Sequence, residues 1–572
     1  MQEHLVGTKI VAREESFVRF NNDLYRNIRL AYAGGYWILV IKNNRCWIYM
    51  KKVFLALIFL TSLNACFEEA DTESYSAGTV SSSPIQVTHE PIDKPFKIEE
   101  PYPSQMPMHL VYPRPDNETQ KHARHRWAHP EMKYRIPIGI QGGSWPFKYE
   151  LITSPEGSSI GNIKGERSYG IIEWQPTTQG GVAHFHVKVT DQEDNTLDIF
   201  WSVNIATDRF VFIQDGWNGE KKGTISAPLE DVVDWYKNSR SDNTFHNKIV
   251  VFRKGNYELK GSKETNGNLR LDSSSKTPSL IGFPGEKAYI DASKAKVITD
   301  VGQLQDMFIA NLNWHNSRQD VKNAHFFWAI GDVSRATWWN NSFHHHGPGI
   351  IGNDNPAGVF ISGKGSKKQH ILYKGNRHQH FYDGRLNGSL IDIYYSSYVL
   401  IEDNLASNID VYCGFLAKGT TGYVTIRNNH AFENIEGGGI CVGYGKESPE
   451  ISNNHEVAWN RIVLASPKTN SPSLLWAIQN TWGGETYNSF IYRNTFVNGS
   501  AWIRFPGINK YQVDSNVVVT NNLRRWELSN MTTTRDNVVS SIDDLIIVEN
   551  DGSIKKVFKE EYFGKVGFEV GN

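Results

Sequence analysis

From Tyr134 onward the chain alternates apolar and polar positions in short runs: YRIPIGI, FKYELI, GIIEWQP, AHFHVKVTD and LDIFWSVNI. A period of two, interrupted by turn residues, predicts strands, and several such runs in succession predict a small antiparallel sandwich over residues 129–207. Past Asp208 the rhythm changes. Ser226-Ala227-Pro228-Leu229-Glu230-Asp231 offers a cap, an early proline and first-turn acids, with Leu229, Val232, Val233 and Tyr236 at helical spacing. A short helix is expected there, closing the open end of the C-terminal domain.

The C-terminal domain writes one phrase repeatedly. VLIEDNLASN from Val399 and VTIRNNHAFEN from Val424 are near copies, with looser versions at Ala336, Pro449, Phe490 and Val517. Aligned on the second asparagine, Asn404, Asn429 and Asn454 lie 25 residues apart, and Asn341, Asn376, Asn494 and Asn522 join at longer intervals. A fixed period of this size means stacked supersecondary units. Each unit holds short β-branched strands and a polar turn, with no amphipathic helix. The expected fold is therefore all-β: a right-handed parallel β-helix over 208–572, preceded by the small immunoglobulin-like sandwich. Asparagines at equivalent turns would stack amide on amide and satisfy groups otherwise unpaired.

The N-terminal pattern is of another kind. Met50-Lys51-Lys52 precedes VFLALIFLTSLNAC, a basic start and an apolar run of secretory-signal type. Leu63-Asn64-Ala65-Cys66 resembles a bacterial lipobox, which implies lipidation at Cys66, signal 50–66, and residues 1–49 as an upstream over-read or else a genuine extension. Phe67 after the cysteine implies the outer membrane, with the lipoprotein on the cell surface or the periplasmic face. Residues 67–128 are polar and weakly periodic and read as a flexible tether.

Composition narrows the functions. The 572 residues carry a net charge of -1, so no polyanion partner held by bulk charge is implied, and nucleic acid is not an expected partner. No nucleotide-binding loop or serine-centred triad signature stands out. Aromatics make up 12% of the chain, with 17 Trp, which suits both core packing and stacking on sugars. Four cysteines are too few for a disulfide framework; Cys413 and Cys441 either pair or are simply buried. A monomer is expected.

Two resemblances add to this. Gly170-Ile171-Ile172-Glu173-Trp174-Gln175-Pro176-Thr177 followed by HFHVKVTDQEDN is similar to cadherin-like and immunoglobulin-like domains of bacterial surface proteins. That likeness implies calcium at Asp191 and Asp194, whereas the residues alone read as a polar turn. GTISAPL, IVVFRKGNYEL and LIGFPGEKAYID resemble the opening of secreted β-helix proteins of the chondroitinase B and alginate lyase family, within the pectate-lyase-like superfamily. The resemblance implies a polysaccharide substrate, a lysine base, an assisting arginine and a calcium ion held by acids and asparagine.

Candidate chemistry comes from counting along the coils, which lie about 4.8 Å apart. Four residues past the turn asparagine the column reads His345, His380, Asn408, Glu433, with Asp383, Asp410 and Glu436 at nearby offsets. The densest patch, Lys374–Arg385, adds Arg377 and Arg385. By resemblance Lys418 stands where the family's base stands, and Asn408 and Asp410 where calcium ligands stand. Asp410-Val411-Tyr412 lacks the family's paired glutamates and its later arginine is missing, so a metal-free site of Arg377 or Arg385 with His380 or Tyr412 is the variant. Trp338 and Trp339 are expected to stack on substrate beside His345, Glu433 and Glu436. The expected activity is β-elimination on an acidic polysaccharide. The alternatives are hydrolysis by a carboxylate pair from Asp383, Asp410, Glu433 and Glu436, or glycan capture without catalysis.

Overall fold

The computed structural model describes residues 28–33, 36–41, 47–50, 102–115, 123–163, 168–177, 180–230, 248–258, 269–270, 279–293, 298–316, 325–346, 357–363, 369–382, 388–411, 413–419, 422–431, 435–437, 439–443, 452–463, 476–480, 486–497, 500–503, 511–514, 517–519, 527–528, 532–535, 538–540, 547–548 and 554–556. Two compact units divide the chain at His89. In the first, Ile28–Ala33, Tyr36–Ile41 and Trp47–Met50 form an antiparallel meander. The expected signal segment and Cys66 lie outside the described residues.

In the second unit three long parallel sheets run side by side, with twelve, twelve and ten strands among the described residues. The chain visits them in rotation, as in Ile371–Lys374, Arg377–Tyr382 and Ser389–Tyr394. This is the right-handed parallel β-helix read from the repeats. We number the sheets in that order. Val359, Ile391 and Phe415 of the third sheet and Tyr373, Ile401 and Ile426 of the first stack in a common core.

The corner between the first and second sheets shows why the phrase repeats. Asn341, Asn376, Asn404, Asn429, Asn460 and Asn494 form a buried ladder, each side chain donating to the oxygen of the next at 2.8–3.2 Å. Each also donates to a carbonyl of a neighbouring coil, as Asn404 does to Tyr373 at 3.0 Å. The residue before each ladder asparagine is left-handed, with φ of 53° at Asn340 and Asn428 and 59° at Asp403 and Trp459. Asp and Asn tolerate that conformation better than most side chains. One register expectation changes. Asn460, not Asn454, receives the bond from Asn429 at 3.0 Å. Asn454 precedes its first-sheet strand, at the other left-handed corner of the coil, with φ 54°.

The sandwich consists of a four-stranded and a three-stranded sheet around Trp201, Phe185, Tyr134 and Trp174. Within its Asp191 turn the carboxylate accepts from the backbone N–H groups of Ser144, Glu193 and Asn195 at 2.9–3.0 Å. Those bonds outweigh burial and lower its pKa; they account for Asp191 as a turn-former without calcium.

Two boundaries differ from expectation. Residues 102–115, inside the stretch read as a tether, are folded: His109–Tyr112 pairs with Gly139–Gln141, and Val111 and Tyr112 are buried. The start of the expected capping helix, residues 226–230, is bent and not helical, and Leu229 bridges Ile213 on the free edge of the first sheet. Covering an edge strand this way serves the purpose the helix was assigned; residues 231–236 lie outside the described residues.

The sandwich and its leading strand lie on the outer face of the first sheet. That sheet is therefore buried on both sides, and strands such as IVVF and ILYK are buried throughout. Gly139 faces Leu372 so closely that a Cβ there would stand 2.9 Å from its Cδ1. Gln141 donates to the carbonyls of Val399 and Tyr423 at 2.7 and 2.8 Å. Beneath this cover Lys374, Glu402 and Arg427 occupy one register column on successive coils. Glu402 accepts from Lys374 at 2.7 Å and from Arg427 at 2.6 Å, and Arg427 donates on to the carbonyl of Ile140 at 2.5 Å.

Candidate functional site

The counted column is physically continuous. Asn316, His345, His380 and Asn408 sit at one left-handed bend of the second sheet on four successive coils, with φ of 52–57°. The His345 and His380 rings stack at 4.9 Å, and Asn408 Nδ2 lies 2.7 Å from His380 Nδ1. His315, His344, Gln379 and Ser407 form the column one residue earlier. Burial first, then neighbouring histidines and Arg377, push His344 down to about 4. Burial and His345 lower His380 in the same way. For His315, burial and His345 outweigh the opposing effect of Asp291. The lowered values favour the neutral imidazole at His315, His344 and His380. Arg377 is the cation beside them.

Among the described residues the predicted site is divided between two sheets. Tyr382, Asp410 and Glu436 share a register position on three adjacent coils of the second sheet. Lys418 ends the third-sheet strand Cys413–Lys418 instead, five residue steps beyond its start. At about 3.3 Å per residue that is roughly 16 Å from the strand's beginning, so Lys418 and His380 serve different faces. Asp383, Arg385, Tyr412 and Glu433 lie outside the described residues.

Trp338 and Trp339 are corrected outright. Trp338 is 0% exposed, in the first sheet's inner column, where it packs on Phe327. Trp339 points the other way and is 2% exposed beneath the sandwich, with Arg135 over its ring. Trp459 is likewise buried, against Trp145. None of the three can meet a sugar. Among the described residues no group of three His, Cys, Asp or Glu is placed to hold a metal.

The outer face of the third sheet brings further polar and aromatic residues to Lys418. Trp328, Phe360, Asp392 and Leu416 form one outward column, because Ile391 and Ile393 on either side of Asp392 enter the core. Trp328 and Phe360 are half-buried, with ring surface left to solvent. Tyr394 and Lys418 pair in the adjoining column, and the Lys418 amine sits 5.6 Å from the centre of the Tyr394 ring. Cys413 and Cys441 are joined by a disulfide, which ties the Lys418 strand to the next coil. Asp392 is 1% exposed, and its Oδ1 has no hydrogen-bond partner. Burial pushes its pKa well up, only partly opposed by Lys418, which favours the protonated carboxyl. The sequence signal for it was an acid inside the apolar strand SLIDIY at an outward phase.

No family model matches this sequence, and no curated protein matches it. Among solved structures, the chain is similar to a family 28 exopolygalacturonase of Yersinia enterocolitica, with 9% identity, 72% of this chain and 99% of that one covered, and a TM-score of 0.28. It is also similar to the catalytic domain of a GH87 α-1,3-glucanase in complex with tetrasaccharides, with 12% identity, 74% and 84% covered, and a TM-score of 0.26. At that level the similarity carries no argument about activity.

Proposed function

We propose that this chain depolymerises an acidic polysaccharide by β-elimination on the outer face of the third sheet. One observation supports this most: Lys418 stands beside the Tyr394 ring on a face that also carries Trp328 and Phe360. Half-buried rings along adjacent coils suit successive sugar faces. Elimination requires a group that takes the proton next to the uronate carboxylate, and an amine positioned on that face meets the requirement. Arg377, beside the histidine stripe of the second sheet, offers a cation for further carboxylates of a long anionic chain. The proposed setting is a monomer anchored at the outer membrane through Cys66, as the signal segment implies.

Hydrolysis is the second reading, and Asp410 and Glu436 favour it. They share one register position on adjacent coils, a spacing from which a carboxylate pair can be built. A screen of polyuronates and sulfated glycans tests both, following the ultraviolet absorbance of an unsaturated product together with new reducing ends. Elimination raises both signals. Reducing ends alone would replace it with hydrolysis, and neither signal, with binding retained, would leave glycan capture.

A further inference from the structure

We infer that Asp392 is the proton donor of this site, delivering a proton to the oxygen of the departing sugar; the inference rests on elimination taking place at the third-sheet face. Three features of the structure carry it. Asp392 is turned outward by the strand's alternation, between core residues Ile391 and Ile393. Its column neighbours are Phe360 and Leu416, so the carboxyl sits against apolar side chains and its Oδ1 has no hydrogen-bond partner. Lys418, on the next coil, is near enough for its charge to act on the carboxyl. An unpaired polar atom in such a place costs stability, and that cost is understandable where the atom has work to do during turnover. A carboxyl kept in apolar surroundings stays protonated at neutral pH and can then act as an acid.

The step balances. In the reactive form Lys418 has first given its own proton to solvent; the neutral amine then removes the hydrogen beside the uronate carboxylate, and that C–H electron pair becomes a carbon–carbon double bond. The C–O bond to the departing sugar breaks, and the leaving oxygen takes the Asp392 proton. Lys418 ends as an ammonium and Asp392 as a carboxylate, an ion pair that loses and regains protons through solvent. Lys418 and Tyr394, paired in the column next to Asp392, are both half-buried.

The test is Asp392→Asn on the best substrate of the screen, beside a uronate that carries an aryloxy group in place of the departing sugar. Loss of a general acid lowers kcat on the polymer by about 10²–10⁴-fold. The aryloxy substrate needs no protonation and should be cleaved at close to the wild-type rate. Equal losses on both substrates, or no loss on the polymer, would overturn the assignment. If the wild type cleaves nothing, the functional reading fails separately. The charge state is then tested by infrared spectroscopy at neutral pH: a protonated-carboxyl band should be present in the wild type and missing from the variant, and its absence from the wild type overturns the inference.

Discussion

Glu402 and Asp392 are both buried carboxyls on outward positions of the same solenoid, and their surroundings push their pKa values in opposite directions. Glu402 lies on the first sheet, under the sandwich, between Lys374 and Arg427. Burial alone would raise its pKa, but the two cations outweigh burial and lower it. Asp392 lies on the third sheet with only Lys418 opposing its burial, and its pKa is raised. Burial therefore does not decide ionisation; the number and reach of the partners do. The first sheet uses its charges to seat another part of the chain. The third sheet leaves one proton available, and that is the physical ground for assigning chemistry to it.

Removing one member of the covered trio should have the largest effect. Arg427→Met leaves Glu402 short of a partner in a dry interface and should cost about 3–5 kcal/mol of unfolding free energy, read by chemical denaturation. Replacing Lys374, Glu402 and Arg427 together with apolar residues should cost less, because Glu402 is no longer stranded, although Asp403 loses its ion pair with Lys374 at 3.3 Å. Equal losses in the two variants would show that packing, rather than charge pairing, seats the sandwich.

Acid should come next. His125 is lowered to about 3 and His455 to about 4, both by burial. Each stays neutral when folded but takes a proton when unfolded below about pH 6.5, so the unfolded state gains protons and stability falls as pH drops from there toward 4, by on the order of 3 kcal/mol for each such group. His455→Gln should flatten that dependence in melting temperature against pH. Asp392 works in the other direction. Its folded pKa lies above the unfolded one, so its contribution is lost as pH rises from about 4, and Asp392→Asn should melt at or above the wild-type temperature at neutral pH.

A smaller loss tests the ladder. Asn429→Ala removes the acceptor of Asn404 and the donor to Ile401, and should cost about 1–3 kcal/mol. Asn454→Ala, outside the ladder, should cost less. The smallest effect concerns binding. Phe360→Ala should weaken affinity for the polysaccharide by about 1–3 kcal/mol if the ring stacks on sugar, whereas Trp338→Phe should leave affinity unchanged. Titration calorimetry distinguishes them, and the reverse result would move substrate off the third sheet.

The repeat was legible because its cause is local: a left-handed corner followed by an asparagine that bonds to the next coil. The same locality misplaced Asn454. The coil has two left-handed corners, at Asn454 and Trp459, and a short phrase does not tell them apart. Trp338 was misread because it enters the solenoid core, and Trp339 because only the docked sandwich makes an outward tryptophan inaccessible, which is a long-range event. The histidine column was countable, since coil stacking turns an equal offset into an equal position. Lys418 was found by resemblance, but its separation from His380 depended on where one sheet gives way to the next. Asp392 went unseen because its charge state arises from neighbours on other coils.

The most direct test of the third-sheet site is the turnover of the best polysaccharide by Lys418→Met, measured beside its binding to the same polymer. The account predicts a folded variant that still binds but releases no unsaturated product. Turnover at the wild-type rate would contradict it.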